Sequence, residues 1–234
     1  MATNQQPAAR SILLGVCLLV MLPGCGEERV EPVVRERVVK DAGPEATGPV
    51  VLFLGDSLTF GYGLSPDESY PSVIERKIEE AGLAYQVVNA GVSGDTTAGG
   101  LRRLDWLLRR EPSVMVLALG ANDGLRGIPV ETTRSNLKAI VEAARKRFPD
   151  VRILLAGMQA PPNMGQQFTD AFRQIFPELA EELDLSLIPF LLEGVAGDPE
   201  LNLPDGIHPN PDGQKIVAEN VWKVLELLVR SEQR

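Results

Sequence analysis

Val50-Val51-Leu52-Phe53-Leu54-Gly55-Asp56-Ser57-Leu58-Thr59 decides how the rest of the chain is read. Five apolar residues run unbroken into Gly-Asp-Ser. This is the pattern of a buried β-strand that delivers a serine to its carboxyl end, where open α/β sheets place their ligand sites. Ser57 is therefore the candidate nucleophile. A serine hydroxyl is a poor nucleophile at neutral pH, so it needs a base, an orienting acid and donors for the developing oxyanion. The base has one source, because the chain holds a single histidine, His208, within Asp205-Gly206-Ile207-His208-Pro209.

From Val50 onward strand and helix patterns alternate. Strands are predicted near 50–54, 84–88, 114–119, 152–157 and 185–188, and helices near 69–81, 97–109, 131–147, 169–183 and 212–230. Turn chemistry supports the division: Ala81-Gly82 closes the first helix, Thr96 caps the second, Glu111-Pro112 stops it, and Asn210-Pro211 is an N-cap followed by proline at the first helical position. The last helix carries Ile216, Val217, Val221, Val224, Leu225 and Leu228 at helical spacing. Near-continuous apolar strands joined by helices imply a parallel sheet covered on both faces, an α/β fold. With strand order 2-1-3-4-5, the loops after strands one and three flank the point where the winding reverses. Ser57 and Asn122 then face one crevice.

The chain has 234 residues, 44% hydrophobic and 24% charged, which is ordinary globular composition with enough material for one domain. Its formal net charge is -9. A chain this acidic is unsuited to binding nucleic acid or an anionic membrane through bulk electrostatics. Membrane contact has another route. Arg10 precedes an apolar run from Ser11 to Leu22 that is short for a bilayer span but has the length of a secretory signal core. The run ends in Leu22-Pro23-Gly24-Cys25, which resembles the lipobox of bacterial lipoproteins, where cleavage leaves the cysteine as an acylated first residue. Residues 1–24 are read as a lipoprotein-type signal peptide, 25–49 as a lipidated cysteine with a flexible tether, and 50–234 as the folded domain. The tether mixes charges with Pro32, Pro44 and Pro49 and, if flexible, spans on the order of 25–30 Å; a short helix over 31–40 is the alternative. Cys17 lies inside the signal, so Cys25 is the only cysteine of the mature chain and no internal disulfide can form. The expected location is an exported lipoprotein facing the periplasm or anchored at the outer membrane, with a soluble secreted or periplasmic protein as the alternative. Gly26, in place of the aspartate that retains lipoproteins at the inner membrane, points outward.

Each polar motif has a role that acyl transfer asks for. Ser57 attacks a carbonyl. His208 takes the hydroxyl proton and returns it to the leaving group, while Asp205, three residues upstream, holds the far ring nitrogen. The Ser57 N–H, the Gly94 N–H and the Asn122 side-chain amide are the candidate oxyanion donors. Asp56 and Asp123 are read as orienting their turns. Taken singly each feature has an ordinary structural reading: Gly-Asp-Ser as a turn, His208 as a capping or packing histidine, Asn122 as a left-handed turn residue, Gly94 as a bend. Their convergence on one sheet edge favours the catalytic reading.

These blocks, Gly55-Asp56-Ser57-Leu58, Gly94, Gly120-x-Asn122-Asp123 and Asp205-x-x-His208, resemble the four sequence blocks of the SGNH (GDSL) hydrolases, over residues 50 to 229. Ser93-Gly94-Asp95-Thr96, Gly120 through Gly127, and Asp205 through Asn210 are similar to its multifunctional acyl-CoA thioesterase/lysophospholipase/arylesterase branch. The resemblance implies a flavodoxin-like three-layer α/β/α sandwich, no metal or other cofactor, and hydrolysis of esters or thioesters through an acyl-enzyme. It also implies that Ser57, Gly94, Asn122 and His208 are the signature residues, that Asp205 completes the triad, and that Leu125 to Gly127 form a mobile gate.

Leu125, Ile128, Met158, Met164 and Phe168 follow strands three and four on the active edge and are candidate acyl-chain contacts. The alternative is that Met158 ends a strand in the core and Phe168 packs its own helix. The favoured function is a monomeric, membrane-tethered serine hydrolase of acyl esters or thioesters. A carbohydrate O-deacetylase and a non-catalytic envelope-binding lipoprotein module are the alternatives.

Overall fold

The computed structural model describes residues 48–231. The signal sequence, Cys25, the alternative helix over 31–40 and nearly all of the tether lie outside the described residues. The elements follow in the order β1 (Val50–Gly55), α1 (Ser57–Phe60), α2 (Tyr70–Glu80), β2 (Gln86–Gly91), α3 (Thr97–Leu107), β3 (Val114–Ala118), α4 (Ala121–Leu125), α5 (Val130–Arg147), β4 (Arg152–Ala156), α6 (Gln166–Glu182), β5 (Ser186–Ile188) and α7 (Pro211–Ser231). Single 3-10 turns lie at Pro66–Glu68 and Pro162–Met164.

The five strands form one sheet, parallel as the alternation predicts and in the order β2-β1-β3-β4-β5 that brings Ser57 and Asn122 to one crevice. Every residue of β1 and of β3 is buried, so both faces of the sheet need cover. Helices α2 and α7 pack together over one face, and α3, α5 and α6 lie side by side over the other. The result is a three-layer α/β/α sandwich whose central strands bring Phe53, Leu54, Val116, Leu117 and Leu154 into one core. On α7, Val217, Val221, Leu225 and Val229 are buried, while Ile216, Val224 and Leu228 pack at its margin.

The elements match the sequence reading to within one or two residues except at the end of β2 and the start of α6, and two short helices are additional. Strand β2 starts two residues late and runs on to Gly91, because Asn89, Ala90 and Gly91 stay in register with Phe53, Leu54 and Gly55. A polar Asn89 hid that extension: its side chain is spent on the backbone, donating to the Thr59 carbonyl at 2.9 Å and accepting from the Gly91 N–H at 3.0 Å. Helix α6 begins a turn early, at Gln166, and continues through Pro177, whose exposed position leaves the missing N–H on the solvent side. Two one-turn helices, α1 and α4, follow β1 and β3 directly and are too short to show a periodicity.

The predicted punctuation is present except at the end of α3, which stops at Leu107 with Leu108 as its C-cap, short of Glu111-Pro112. Ala81 caps α2, and the Thr96 side chain accepts from Gly99 N–H at the start of α3. Asn210 Oδ1 accepts from the N–H groups of Asp212 and Gly213, both at 3.0 Å, with Pro211 opening α7.

Candidate active site

Strand β1 ends at Gly55, and the chain folds back so tightly that a Cβ there would lie 1.9 Å from Thr59 Oγ1. Across the sheet, a Cβ on Gly91 would meet the Phe60 nitrogen at 2.3 Å. Only glycine at both positions lets α1 seat on the ends of β1 and β2, which places Ser57 at the lip of the sheet. Asp56 caps this helix by accepting from Leu58 N–H at 3.0 Å. Ser57 is the first helical residue, so its own N–H has no carbonyl partner within α1 and is free to face a ligand.

His208 arrives from the other end of the sequence. Its Nε2 lies 2.9 Å from Ser57 Oγ, and its Nδ1 lies 2.7 Å from Asp205 Oδ2. The second Asp205 oxygen accepts from the N–H groups of Ile207 at 2.9 Å and His208 at 3.0 Å. That turn fixes the carboxylate beside the ring, as the Asp-x-x-His spacing predicts. Desolvation alone would push the Asp205 carboxyl up, but the hydrogen bonds from the His208 backbone, the His208 ring and the Ile207 backbone outweigh it and hold it down at about 2. A carboxylate that stays charged selects the tautomer with the proton on Nδ1, leaving Nε2 to accept from the serine hydroxyl. Two buried bonds tie the histidine side of the site to the serine side: Gln214, in the first turn of α7, accepts from Tyr70 N–H at 2.8 Å and donates to the Leu58 carbonyl at 3.4 Å.

Asn122 is the second residue of α4 and lines the same cavity as Ser57. Its side-chain amide donates one N–H to Asp56 Oδ2 at 3.3 Å, which leaves the other N–H of the same nitrogen for the cavity that Asn122 lines. Asp56 is fully buried, and desolvation pushes its carboxyl up to about 7 against the hydrogen bonds from Leu58 and Asn122. Gly94 sits in the loop after β2 with φ of 79°, and its carbonyl accepts from Arg126 Nη2 at 3.0 Å. Asp123 acts away from the cavity. It is fully buried and accepts from the N–H of Thr97 at 2.9 Å and its hydroxyl at 2.5 Å, joining α4 to the start of α3.

The cavity in front of Ser57 has a volume of about 580 Å³. Of the acyl-contact residues predicted from sequence, Leu125 and Met158 line it. Met164 and Phe168 do not: they line a neighbouring depression of about 500 Å³, and Ile128 lines neither. The chain turns at Pro161 into the 3-10 turn, which carries Met164 away until its terminal methyl packs against Gly127. Phe168 stacks on Phe172 at 5.8 Å and so belongs to the packing of α6. Much of the apolar wall comes instead from residues the sequence reading missed, Phe190, Leu192, Ala196 and Ile207, on the long connection between β5 and α7. That connection has no periodicity to betray it; the placement of Ile207 beside His208 was the one available signal. Tyr62 was missed as well. Its ring lies 4.5 Å from the His208 ring, held there by a backbone bond from its N–H to the Ser57 carbonyl at 3.1 Å.

The profile of the GDSL-like lipase/acylhydrolase family matches residues 53–216. The chain is 38% identical over 186 residues to esterase TesA of Pseudomonas aeruginosa, covering 79% of this chain and 92% of that protein. It is 40% identical over 176 residues to an arylesterase of Vibrio mimicus, covering 75% and 87%. It is 37% identical over 188 residues to thioesterase 1/protease 1/lysophospholipase L1 of Escherichia coli, covering 80% and 88%. The crystal structure of TesA superposes with a TM-score of 0.73 at 38% identity, covering 76% of this chain and 99% of that one. Sheet order, site geometry and these likenesses agree: the chain belongs to the GDSL-like lipase/acylhydrolase family and is an ester-bond hydrolase of the SGNH type.

Proposed function

We propose that the chain hydrolyses carboxylic esters or thioesters of medium and longer acyl chains through an acyl-enzyme on Ser57. The observation that carries this reading is the file Ser57–His208–Asp205, with contacts of 2.9 and 2.7 Å, at the edge of a large apolar cavity. Ser57 Oγ adds to the acyl carbonyl as its proton passes to His208 Nε2, and the imidazolium is held by Asp205. Negative charge on the carbonyl oxygen falls to the N–H groups of Ser57, Gly94 and Asn122. The intermediate collapses, His208 returns the proton to the departing alkoxide or thiolate, and a water molecule repeats both steps to release the acid. Leu125, Met158, Phe190, Leu192 and Ile207 supply the apolar contacts for the chain. Leu125 to Gly127 act as the gate, and the Arg126 bond to Gly94 is its closed-state latch.

A p-nitrophenyl ester series from two to sixteen carbons tests the reading. Activity is expected to persist into medium or longer chains and to vanish in Ser57→Ala. A collapse beyond acetyl would select an O-deacetylase instead, and full activity in Ser57→Ala would remove the mechanism. We also propose that the enzyme is exported and tethered through Cys25. Cys25→Ser is expected to abolish radiolabelled palmitate incorporation and release the protein from the membrane fraction; unchanged labelling would exclude the anchor.

A further inference from the structure

Arg103, on the second turn of α3, takes no part in the chemistry described above, yet its largely buried guanidinium reaches three segments of the site. Nε donates to Asp95 Oδ2 at 2.7 Å, Nη1 to the Ala90 carbonyl at 2.7 Å and Nη2 to the Gly55 carbonyl at 2.9 Å. Gly55 is the last residue of β1, two before Ser57. Ala90 stands at the end of β2, and Asp95 directly follows Gly94. One rigid, planar cation therefore holds the exit of the strand that presents Ser57, the exit of its neighbour, and the loop that presents Gly94.

The helix is shaped to admit this contact. A Cβ on Gly99, in the first turn of α3, would fall 1.6 Å from Asp95 Oδ1. Only a residue without a side chain leaves room for the carboxylate, although glycine is a poor helix former. Arg126 also donates to the Gly94 carbonyl, but from the gate segment, so the bond that does not depend on the gate is the one from Arg103 to Asp95.

We propose that Arg103, paired with Asp95, is a positioning residue for the oxyanion donors: it sets the spacing between the Ser57 and Gly94 N–H groups. The inference rests on the reading that those groups receive the oxyanion. Fixed donors contribute where charge develops, in the transition state, so loosening them lowers kcat and leaves KM in place.

The test compares Arg103→Lys and Asp95→Asn with Asn122→Ala on p-nitrophenyl butyrate, with turnover expressed per serine titrated by an active-site phosphonate. Affinity is measured in parallel for an alkyl trifluoromethyl ketone, which forms a tetrahedral oxyanion on a serine. Both strut variants are expected to lose about tenfold or more in kcat per active site, with KM unchanged and the ketone weakened in step. Asp95→Asn keeps the side-chain shape and the two carbonyl contacts of Arg103, so it preserves the test if Arg103→Lys fails to fold. If Asn122→Ala weakens the ketone and neither strut variant does, the positioning role of Arg103 is refuted while the oxyanion reading stands. If ketone affinity is also unchanged in Asn122→Ala, the oxyanion reading itself falls and takes the strut with it.

Discussion

Asp56 and Asp205 flank the same serine and are driven in opposite directions. Burial lifts Asp56 from 3.8 to about 7, so the native state holds its proton more tightly than the unfolded chain does. Its contribution to stability is present in full below the ordinary carboxylate value and is lost as pH rises through about 7. Asp205 is depressed from 3.8 to about 2, so its contribution is present above 3.8 and lost as pH falls toward 2. Thermal denaturation across pH is expected to show a maximum between these limits, and Asp56→Asn should flatten the alkaline side of that curve; an unchanged alkaline slope would show that Asp56 does not titrate there. For catalysis, Asp205→Asn keeps the shape but removes the charge that selects the Nδ1–H tautomer. Its kcat is expected to fall about 10²- to 10⁴-fold with little change in KM or melting temperature. Near-normal turnover in that variant would mean that the backbone turn alone orients the ring.

Short elements carry the reactive groups, and they are held by buried polar contacts as well as by apolar packing. Helix α4 has five residues and cannot be stable in isolation. Its anchor is Asp123, whose carboxylate takes the Thr97 N–H and hydroxyl and lies 3.4 Å from the Thr133 hydroxyl, joining α3, α4 and α5. Asp123→Ala strands these donors in a dry site. The expected cost is about 2–3 kcal/mol, read as a melting temperature lower by about 5–10 °C. Because Asn122 precedes Asp123 in the same turn, activity should fall as well. A variant that melts as the wild type does would show that apolar packing alone holds α4.

Across the molecule, the site depends on bringing α7 against the sheet edge that carries α1. Lys77 on α2 pairs with Glu219 on α7 at the surface, but exposed pairs contribute little. The buried bridge is Gln214, 1% exposed, between the Tyr70 N–H and the Leu58 carbonyl. Gln214→Leu leaves the Tyr70 N–H without its side-chain acceptor, at a cost of about 1–3 kcal/mol. It also lets the start of α7, and with it His208, drift from Ser57. kcat is expected to fall about tenfold or more, as small misplacements of a catalytic group do. Wild-type kcat in a folded Gln214→Leu protein would show that the Asp205 turn positions His208 unaided.

What the linear chain carried was whatever has a local physical signature. Unbroken apolar runs from Val50 and Val114 announced strands buried on both faces, and the capping and proline positions at Thr96 and Asn210-Pro211 bounded the helices. The pairing of a solitary histidine with Ser57 followed from the demand of a serine nucleophile for a base. The Asp205 turn was legible because three residues suffice to bring a carboxylate to the ring. Groups that act through contacts distant in sequence left no such trace. Arg103 looks like any helical arginine until β1 and β2 end beneath it, and Gln214 looks like a surface amide until α7 meets α2. Asn89 reads as a strand breaker until its side chain is spent on the backbone. The cavity in front of Ser57 was the largest omission, because Phe190, Leu192 and Ala196, which line it together with Leu125 and Met158, lie on the aperiodic connection between β5 and α7. Periodicity and turn chemistry are properties of neighbours along the chain, whereas a cavity wall is a property of neighbours in space.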